Sequence, residues 1–305
     1  MIRILGTIFA GLFSLAFGSF LNVCLSRWPE GESVVHPHSH CRNCEHTLSW
    51  WENIPLVSWI ILRGRCRNCY GLIGWRYPLV EFAIAALWSF QSWKILGMAL
   101  DPETPAISPF LHFNLYNEIG LALGTMIFYW LLVAMAVLDA ENLWLPNSLT
   151  YPGIALGFVL NLVYRLSQDH YSDAPPPSMM REASFEAGAS LVGILAAGLL
   201  ILLIRWLYKL VRHREGMGLG DAKLMAMLAA WLGLPGALLA FTLGVLIGSL
   251  AALVLLIFPA ARRDATSFAA SKLPLGTFLC IGGIISTLWG PRIVEAYLRW
   301  VGLVS

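Results

Sequence analysis

Long apolar runs are the feature of this sequence that most restricts what it can fold into. A helix that crosses a bilayer needs about 20 mostly apolar residues, because each residue adds about 1.5 Å along the helix axis. Runs of about that length cover residues 2–25, 77–98, 119–138, 148–166, 186–208, 237–258 and 274–298. A shorter run, 222–234, ends in a Gly-Leu-Pro-Gly turn at 233–236. We therefore predict an all-α polytopic membrane protein, a bundle of about eight transmembrane helices.

The composition agrees with a chain embedded in lipid. Hydrophobic residues make up 58% of the 305 residues and charged residues only 12%, about half the charged share of soluble domains. A soluble core could not bury that much apolar surface, so we expect the lipid bilayer as a partner. The net charge is only +2, and the sequence has no basic patch with interleaved aromatic residues, so we expect no nucleic-acid partner.

The first apolar run is predicted to be a helix of the bundle. It is longer than the core of a secretory signal, which has about 7 to 15 residues, and only Arg3 stands at its charged start. Small or polar residues recur on it near helical spacing, which favours close packing against another helix. These residues are Gly11, Ser14, Gly18, Ser19 and Asn22. Cys24 and Cys280 lie in apolar runs and are predicted to be small buried hydrophobic residues.

The orientation of the bundle follows from the positions of lysine and arginine between the runs. Basic residues concentrate in the segments 26–76, 209–222 and 259–273. The positive-inside rule places these segments in the cytoplasm. Segment 99–117 has no basic residue and 167–184 has only Arg181, so we predict that both face outward. Alternating the runs then places both chain ends outside and segment 139–147 inside.

The first cytoplasmic segment contains an internal repeat, HCRNCEHTLSWW (40–51) and RCRNCYGLIGWR (65–76). Each copy carries a Cys-x-x-Cys pair, and 21 residues separate the two pairs. This spacing is typical of a tetrahedral zinc site, because each pair wraps its backbone around one side of the same ion. The predicted zinc ligands are Cys41, Cys44, Cys66 and Cys69. A loop this short buries little core, so the metal would supply its stability.

Two disulfides are the alternative to the metal. A disulfide needs an oxidising compartment, whereas the orientation argument places this loop in the cytoplasm. Several histidines surround the first cysteine pair, and one of them could replace a thiolate ligand. We interpret them as solvated loop residues; they are His36, His38, His40 and His46.

Two aspartates stand at the ends of apolar runs on the predicted cytoplasmic face. Asp139 follows the third run and Asp221 opens the sixth. Each has an ordinary explanation on its own, Asp139 as an interfacial acid and Asp221 as a helix N-cap. The stretch GMGLGDAK (216–223) changes that balance, because a cap does not need a strip of backbone without side chains. An extended peptide could lie against that strip, whose glycines are Gly216, Gly218 and Gly220.

A pair of acids beside an extended peptide is the chemistry of aspartyl peptide hydrolysis. One carboxylate takes a proton from water, and the other, protonated, donates to the peptide carbonyl. Helix dipoles suggest the roles, since Asp221 begins a helix and Asp139 ends one. We therefore predict Asp221 as the base and Asp139 as the proton donor, within a pair that titrates as a unit.

The chain resembles the type IV prepilin peptidases, the GxGD-type membrane aspartyl proteases. The resemblance covers nearly the whole sequence and includes the paired cysteine loop and the Asp139 segment. Its other elements are GSFLNVCLSR (18–27), RYPLVE (76–81), GMGLGDAK (216–223) and LPLGTFL (273–279). One departure is Leu145-Pro146-Asn147, where the family often has Ile-Pro-Asp.

The resemblance implies a bacterial inner-membrane enzyme with two activities. It would cleave the short basic leader of type IV prepilins or type II secretion pseudopilins at the cytoplasmic face. It would then methylate the new N-terminal amine with S-adenosylmethionine. Asp139 and Asp221 would be catalytic, and the four cysteines would bind structural zinc. No residue is predicted to bind S-adenosylmethionine, because the sequence has no glycine-rich nucleotide loop of the soluble kind.

The predicted organisation has two parts. Residues 1–98 form two spans that enclose the zinc loop, about 26–76, and are expected to be associated with methyl transfer. Residues 119–305 form the peptidase bundle with both aspartates. Two other classes stay open, a proton-coupled transporter that uses Asp139 and Asp221 and a zinc-stabilised membrane scaffold. The transporter class is disfavoured by the absence of a repeat between the membrane halves.

Overall fold

A computed structural model describes residues 1–99, 109–169, 177–213, 218–257 and 273–302. Within these ranges the regular structure is helical, apart from two isolated β-bridges in the cysteine loop. The α-helices are α1 (Ile2–Arg27), α2 (Val57–Ile61), α3 (Arg76–Ala99), α4 (Pro109–Asn142), α5 (Asn147–Asp169), α6 (Pro177–Arg212), α7 (Leu219–Ile257) and α8 (Leu275–Val301). The prediction of an all-α membrane protein is confirmed. Helices α1, α4, α6, α7 and α8 are long and apolar enough to cross a membrane.

The chain divides into two compact units, Met1–Ala134 and Met135–Ser305, and the boundary falls inside α4. In the first unit, α1 and α3 run antiparallel, because Gly11 lies beside Ser89 and Gly18 beside Glu81. A Cβ added to Gly18 would lie 2.8 Å from the Glu81 Cα atom, too close for any side chain. The predicted packing role of the small residues on α1 is therefore confirmed.

In the second unit, α7 consists of two arms rather than one rod. Gly233 has φ 69° and ψ 171°, a conformation that interrupts the helix and that glycine alone adopts readily. We call residues 219–232 the first arm and residues 234–257 the second arm. The break coincides with the predicted turn at 233–236, and it separates the sixth predicted span from the seventh.

The first arm runs in the same direction as α5. Near its start, the Lys223 Nζ atom donates a hydrogen bond to Asn147 Oδ1 at 2.6 Å, and Asn147 begins α5. Near its end, the Trp231 Nε1 atom donates to the Gly153 carbonyl oxygen at 2.8 Å, further along α5. Most side chains of the first arm between 221 and 230 are buried.

The second arm returns toward the end of the unit where the first arm began. It lies antiparallel to α8, since Gly236 accepts a hydrogen bond from Ser286 at 2.9 Å and Gly248 lies beside Phe278. The contact is tight, because a Cβ added to Gly282 of α8 would collide with the carbonyl oxygen of Ala240. Small residues that admit close backbone approach are what membrane helices use in place of the hydrophobic effect.

Candidate active site and metal-binding loop

Asp139 lies in the last turn of α4 and is held by the start of α8. The backbone N–H of Thr277 donates to Asp139 Oδ2 at 2.7 Å. This N–H belongs to the first turn of α8, where the helix itself provides no acceptor. The Thr277 hydroxyl donates to the Ala136 carbonyl oxygen at 2.9 Å and lies 3.3 Å from Asp139 Oδ2. Thr277 thus ties α8 to the last two turns of α4.

Asp221 is the third residue of α7, so it is not the N-cap. Its Oδ2 atom accepts a hydrogen bond from the backbone N–H of Gly218 at 3.0 Å. An acid at this helix position commonly reaches back to satisfy the N–H of the N-cap residue. Both aspartates therefore accept a backbone N–H from the start of a helix. The positive end of a helix dipole thus faces both acids, so the dipoles do not distinguish the base from the proton donor.

The structure places both aspartates in the second unit, at helix ends that approach each other around Leu145. The charge of Asp139 acts on Asp221 there. The Cys280 thiol lies one turn beyond Thr277 on α8, and the charges of both aspartates act on it. Asp139 is only 6% exposed and Asp221 only 7%. Cys280 is fully buried, which confirms its prediction as a buried residue.

Two glycines allow the helix ends to approach around Leu145. A Cβ added to Gly276 would lie 2.8 Å from Asp139 Oδ2 and 3.1 Å from Leu145 Cδ1. A Cβ added to Gly220 would also lie 3.1 Å from Leu145. The space beside Gly220 thus holds a side chain of the protein itself. Gly218 supplies the N–H to Asp221, and Gly216 lies outside the described residues.

Thr277 and Gly276 were not predicted as site residues. Both belong to LPLGTFL, which supported the resemblance but received no role of its own. The position of the motif in the sequence could have indicated a role for these residues. LPLGTFL opens an apolar run directly after a basic segment. Its first residues therefore lie at a helix N-terminus on the same predicted face as the two acids.

Asn147, the residue at the family departure, has a defined partner. Its side-chain oxygen accepts the 2.6 Å hydrogen bond from Lys223, two residues after Asp221. The Lys223 ammonium also lies 5.3 Å from the centre of the Tyr151 ring. The neutral amide therefore serves as an acceptor for a cation at the start of α7.

The cysteine loop of the first unit forms one four-thiol cluster. Its sulfur atoms all lie within 4.8 Å of one another, and they belong to Cys41, Cys44, Cys66 and Cys69. The sulfurs of Cys41 and Cys69 are 3.8 Å apart, and those of Cys44 and Cys66 are 4.0 Å apart. A tetrahedral ion with Zn–S bonds of about 2.3 Å would separate its sulfurs by roughly 3.8 Å. The cluster could hold one metal ion.

The repeat seen in the sequence is also a repeat in the backbone. The Cys41 N–H donates to the His46 carbonyl oxygen at 2.9 Å, and the Cys66 N–H donates to that of Gly71 at 2.8 Å. Glu45 and Tyr70, at equivalent positions, have positive φ values of 56° and 57°. The two copies form matching turns that bring their thiols together. The thiols are free rather than paired in disulfides.

The same turns favour thiolates, the form that binds metal. The backbone N–H of His46, followed by the Asn68 side chain, lowers the pKa of Cys44 to about 7. Backbone N–H groups of Cys69 and Asn68 lower the pKa of Cys66. The N–H of Gly71 also lowers the pKa of Cys69. Burial and the neighbouring thiols outweigh this effect and raise that pKa to about 11.

None of the four histidines belongs to the cluster that the described residues form. His46 instead lies 3.6 Å from the Glu52 carboxylate, measured from Nε2 to Oε2. The His40 Nδ1 atom lies 3.0 Å from the His38 carbonyl oxygen. The donor set is therefore four sulfurs.

Fold and site together define a class: a polytopic membrane protein with a buried aspartate pair and a separate four-cysteine loop. The profile described as Bacterial Peptidase A24 N-terminal domain matches residues 12–95, and that of the Type IV leader peptidase family matches residues 126–257. The chain belongs to the Type IV leader peptidase family, and it is a membrane peptidase.

Relatives named prepilin leader peptidase/N-methyltransferase match nearly the whole chain. The protein from Pseudomonas aeruginosa is 34% identical, over 95% of this chain and 93% of its own. Those from Aeromonas hydrophila and Stutzerimonas stutzeri are 32% and 31% identical, over 94% and 96% of this chain and 92% and 93% of their own. No solved structure matches. These relatives give no support to the transporter or scaffold alternatives.

Proposed function

We propose that this protein cleaves the N-terminal leader of type IV prepilins or type II secretion pseudopilins, with Asp139 and Asp221 as the catalytic pair. The observation that carries the proposal is that two buried carboxyl groups lie at helix ends that approach each other around Leu145. The names of the relatives support prepilins as substrates. They also support the second activity, methylation of the new N-terminal amine with S-adenosylmethionine.

The mechanism uses the two carboxyl groups as a unit. Two adjacent carboxylates repel each other, so the pair keeps one proton between them. The ionised member takes a proton from water, which attacks the scissile carbonyl carbon, and the protonated member donates to the carbonyl oxygen. One oxygen of each acid is held by a backbone N–H, from Gly218 or from Thr277, which fixes the orientation of each carboxyl.

The predicted orientation suits this substrate. A prepilin presents a basic leader to the cytoplasm and an apolar helix to the bilayer, so its scissile bond lies at the interface. In a bacterial inner membrane, the positive-inside rule places Asp139 and Asp221 at the cytoplasmic interface. Both aspartates and the scissile peptide bond then lie at the same depth in the membrane.

Leader release from a prepilin-like peptide by the purified protein tests the proposal. We expect Asp139→Asn and Asp221→Asn each to abolish release, because neither amide can take part in the proton exchange. Glu141→Gln, which removes an exposed acid two residues from Asp139, is the matched control and should retain activity. Undiminished release by both aspartate variants would refute the proposal. Mass spectrometry of the product shows the cleavage position and the added methyl group together.

We propose zinc as the metal of the cysteine cluster. Four sulfur donors in a tetrahedral spacing are the donor set that zinc prefers in structural sites. Bound at Cys41, Cys44, Cys66 and Cys69, it would link the two copies of the repeat and stabilise a loop with little core of its own. Its role would be structural, since all four positions are filled by protein ligands.

A further inference from the structure

A cavity of about 350 Å³ lies in the first unit, between the last turns of α1 and the loop that follows it. Its walls combine apolar side chains with polar ones, among them Ser19, Phe20, Val23, Arg27, Ser39 and Asn53. The proposed cleavage mechanism uses none of these residues. A concave site of this size, whose wall mixes apolar and polar groups, can hold a small molecule.

Arg27 places a buried positive charge in the cavity wall. It is 6% exposed, and its guanidinium donates to the carbonyl oxygens of Ser33 at 2.8 Å and Pro37 at 2.6 Å. These partners are neutral and use two of its five donor hydrogens. No carboxylate in the described part of the chain forms an ion pair with it. A buried, uncompensated cation beside a cavity favours a ligand with an anionic group.

Glu81 places a buried acid behind the part of the wall that Ser19 forms. It is 7% exposed, and its Oε2 atom accepts the backbone N–H of Leu56 at 2.7 Å. The side chains of Ser19 and Asn22 lie near its carboxyl group, and Ser19 lines the cavity. The cavity therefore has a cation in its wall and an acid behind Ser19. A ligand that carries both a carboxylate and a positive group is complementary to this arrangement.

We propose that this cavity binds S-adenosylmethionine, with its carboxylate on Arg27, its positively charged groups toward Ser19 and the acid behind it, and its adenine against Phe20 and Val23. The inference rests on the proposed methylation activity. In that reaction the neutral amine nitrogen of the cleaved substrate forms a bond to the sulfonium methyl carbon. The carbon–sulfur bond breaks with its electron pair passing to sulfur, the amine proton passes to water, and the thioether product leaves.

Binding of radiolabelled S-adenosylmethionine to the full-length protein in lipid nanodiscs tests the site without measuring methyl transfer. Arg27→Gln should weaken binding at least tenfold and leave the rate of leader cleavage within about twofold of wild type. Arg3→Gln is the matched control, since Arg3 lies on the same helix, donates to the Trp93 carbonyl oxygen and is outside the cavity. It should change neither quantity.

A second variant covers the case in which Arg27→Gln fails to fold, because Arg27 also holds the loop. Val23→Phe fills the cavity without removing a charge, and Leu12→Phe, on an exposed face of α1, is its control. We expect Val23→Phe alone of these two to lose binding. Unchanged binding in Val23→Phe would overturn the inference, as would unchanged binding in a folded Arg27→Gln protein.

The comparison of lipids and activities separates the remaining outcomes. Equal affinity in phosphatidylcholine and phosphatidylglycerol nanodiscs is expected, whereas competitive loss of binding in the anionic lipid would assign the cavity to a headgroup and overturn the inference. A wild-type protein that cleaves leaders but does not bind S-adenosylmethionine would overturn this site and leave the peptidase proposal standing. Binding without cleavage would support the site and contradict the peptidase proposal.

Discussion

At the scale of single residues, the position of each aspartate depends on a backbone N–H that a helix start leaves unpaired. Gly218 supplies this group to Asp221, and Thr277 supplies it to Asp139. In a buried site such hydrogen bonds are stronger than in water, so their geometry matters for catalysis. The Thr277 hydroxyl adds a second link between α8 and α4.

We expect Thr277→Val to lower kcat for leader release about tenfold and to change KM little, because loss of the hydroxyl loosens the Asp139 carboxyl rather than substrate binding. Steady-state kinetics checks this split, and Thr277→Ser should restore kcat. Thr287→Val is the matched control, since among the described residues that hydroxyl bonds within α8, to the Gly283 carbonyl oxygen at 2.7 Å. An equal loss in Thr277→Ser would contradict the positioning role.

Gly276→Ala should reduce leader release by at least about tenfold. The new methyl group would lie 2.8 Å from Asp139 Oδ2, so the carboxyl or the start of α8 must move. Gly290→Ala, further along α8, has its nearest neighbour at 3.4 Å and should behave like wild type. A peptide cleavage assay on the two variants measures the difference, and equal activities would show that the close approach has no catalytic importance.

The acids could be predicted from the sequence, but the residues that hold them could not. Asp139 and Asp221 could be identified because both lie on the same predicted face and a strip of glycines precedes Asp221. Thr277 and Gly276 are ordinary residues of an apolar run, and their importance depends on which helix ends meet. The spacing of apolar residues does not contain that information. Arg27 and Glu81 end the motifs GSFLNVCLSR and RYPLVE, and nothing in the spacing of those motifs indicates that both side chains are buried.

At the scale of elements, the cysteine repeat shows how a short motif determines a site. Matching turns place four thiols within 4.8 Å without a hydrophobic core around them. The spacing of the cysteines predicted this cluster correctly, because each Cys-x-x-Cys turn is local and needs no long-range packing. The identity of the metal is a matter for measurement.

Elemental analysis of the purified protein should find one zinc ion per chain. Cys44→Ser with Cys69→Ser should lower zinc to background and make residues 31–75 sensitive to protease, because the loop loses its cross-link. Cys24→Ala, which removes a buried thiol of α1, should keep the full metal content. Retention of zinc by the double variant would contradict the four-sulfur site.

The break in α7 depends on one glycine. Gly233→Val should lower the stability of the folded protein by about 1–3 kcal/mol, because a branched residue is strained at φ 69° and ψ 171°. Thermal unfolding in detergent measures the effect. Gly188→Ala, in an open helical position of α6, should be neutral. A wild-type melting temperature for Gly233→Val would show that this conformation is not required.

The reversal of α7 was predicted from local chemistry rather than from hydropathy. An apolar stretch from 219 to 257 can be one long helix or two short ones, and mean hydropathy does not distinguish them. The Gly-Leu-Pro-Gly stretch at 233–236 decides between these forms, since glycine permits the turn and proline cannot continue the preceding ladder of hydrogen bonds.

At the scale of the whole molecule, the predicted division at about residue 98 and the observed division at Ala134 concern different properties. The prediction followed the zinc loop and its two flanking spans, whereas the compact units reflect which helices pack together. Hydropathy identifies spans but not their neighbours, so α4 could not be assigned in advance. The functional division stays a prediction.

Labelling with a membrane-impermeant thiol reagent tests the predicted orientation. In intact cells Ser184→Cys should be labelled from outside, while Glu141→Cys should react only after the membrane is permeabilised, because segment 139–147 is predicted to face the cytoplasm. Mass spectrometry of the labelled peptides distinguishes these positions from native cysteines. The opposite pattern would reverse the topology and remove the acids from the face where the leader is presented.

The short first arm of α7 also affects the surrounding lipid. Residues 219–232 extend only about 20 Å along a helix axis, whereas the hydrocarbon interior of a bilayer is about 30 Å thick. Most side chains of the first arm are buried against other helices, so lipid meets only its few exposed positions, where local thinning is one way to relieve the mismatch. Where the membrane thins, we expect water molecules to approach the scissile peptide of a substrate whose apolar helix lies in the bilayer.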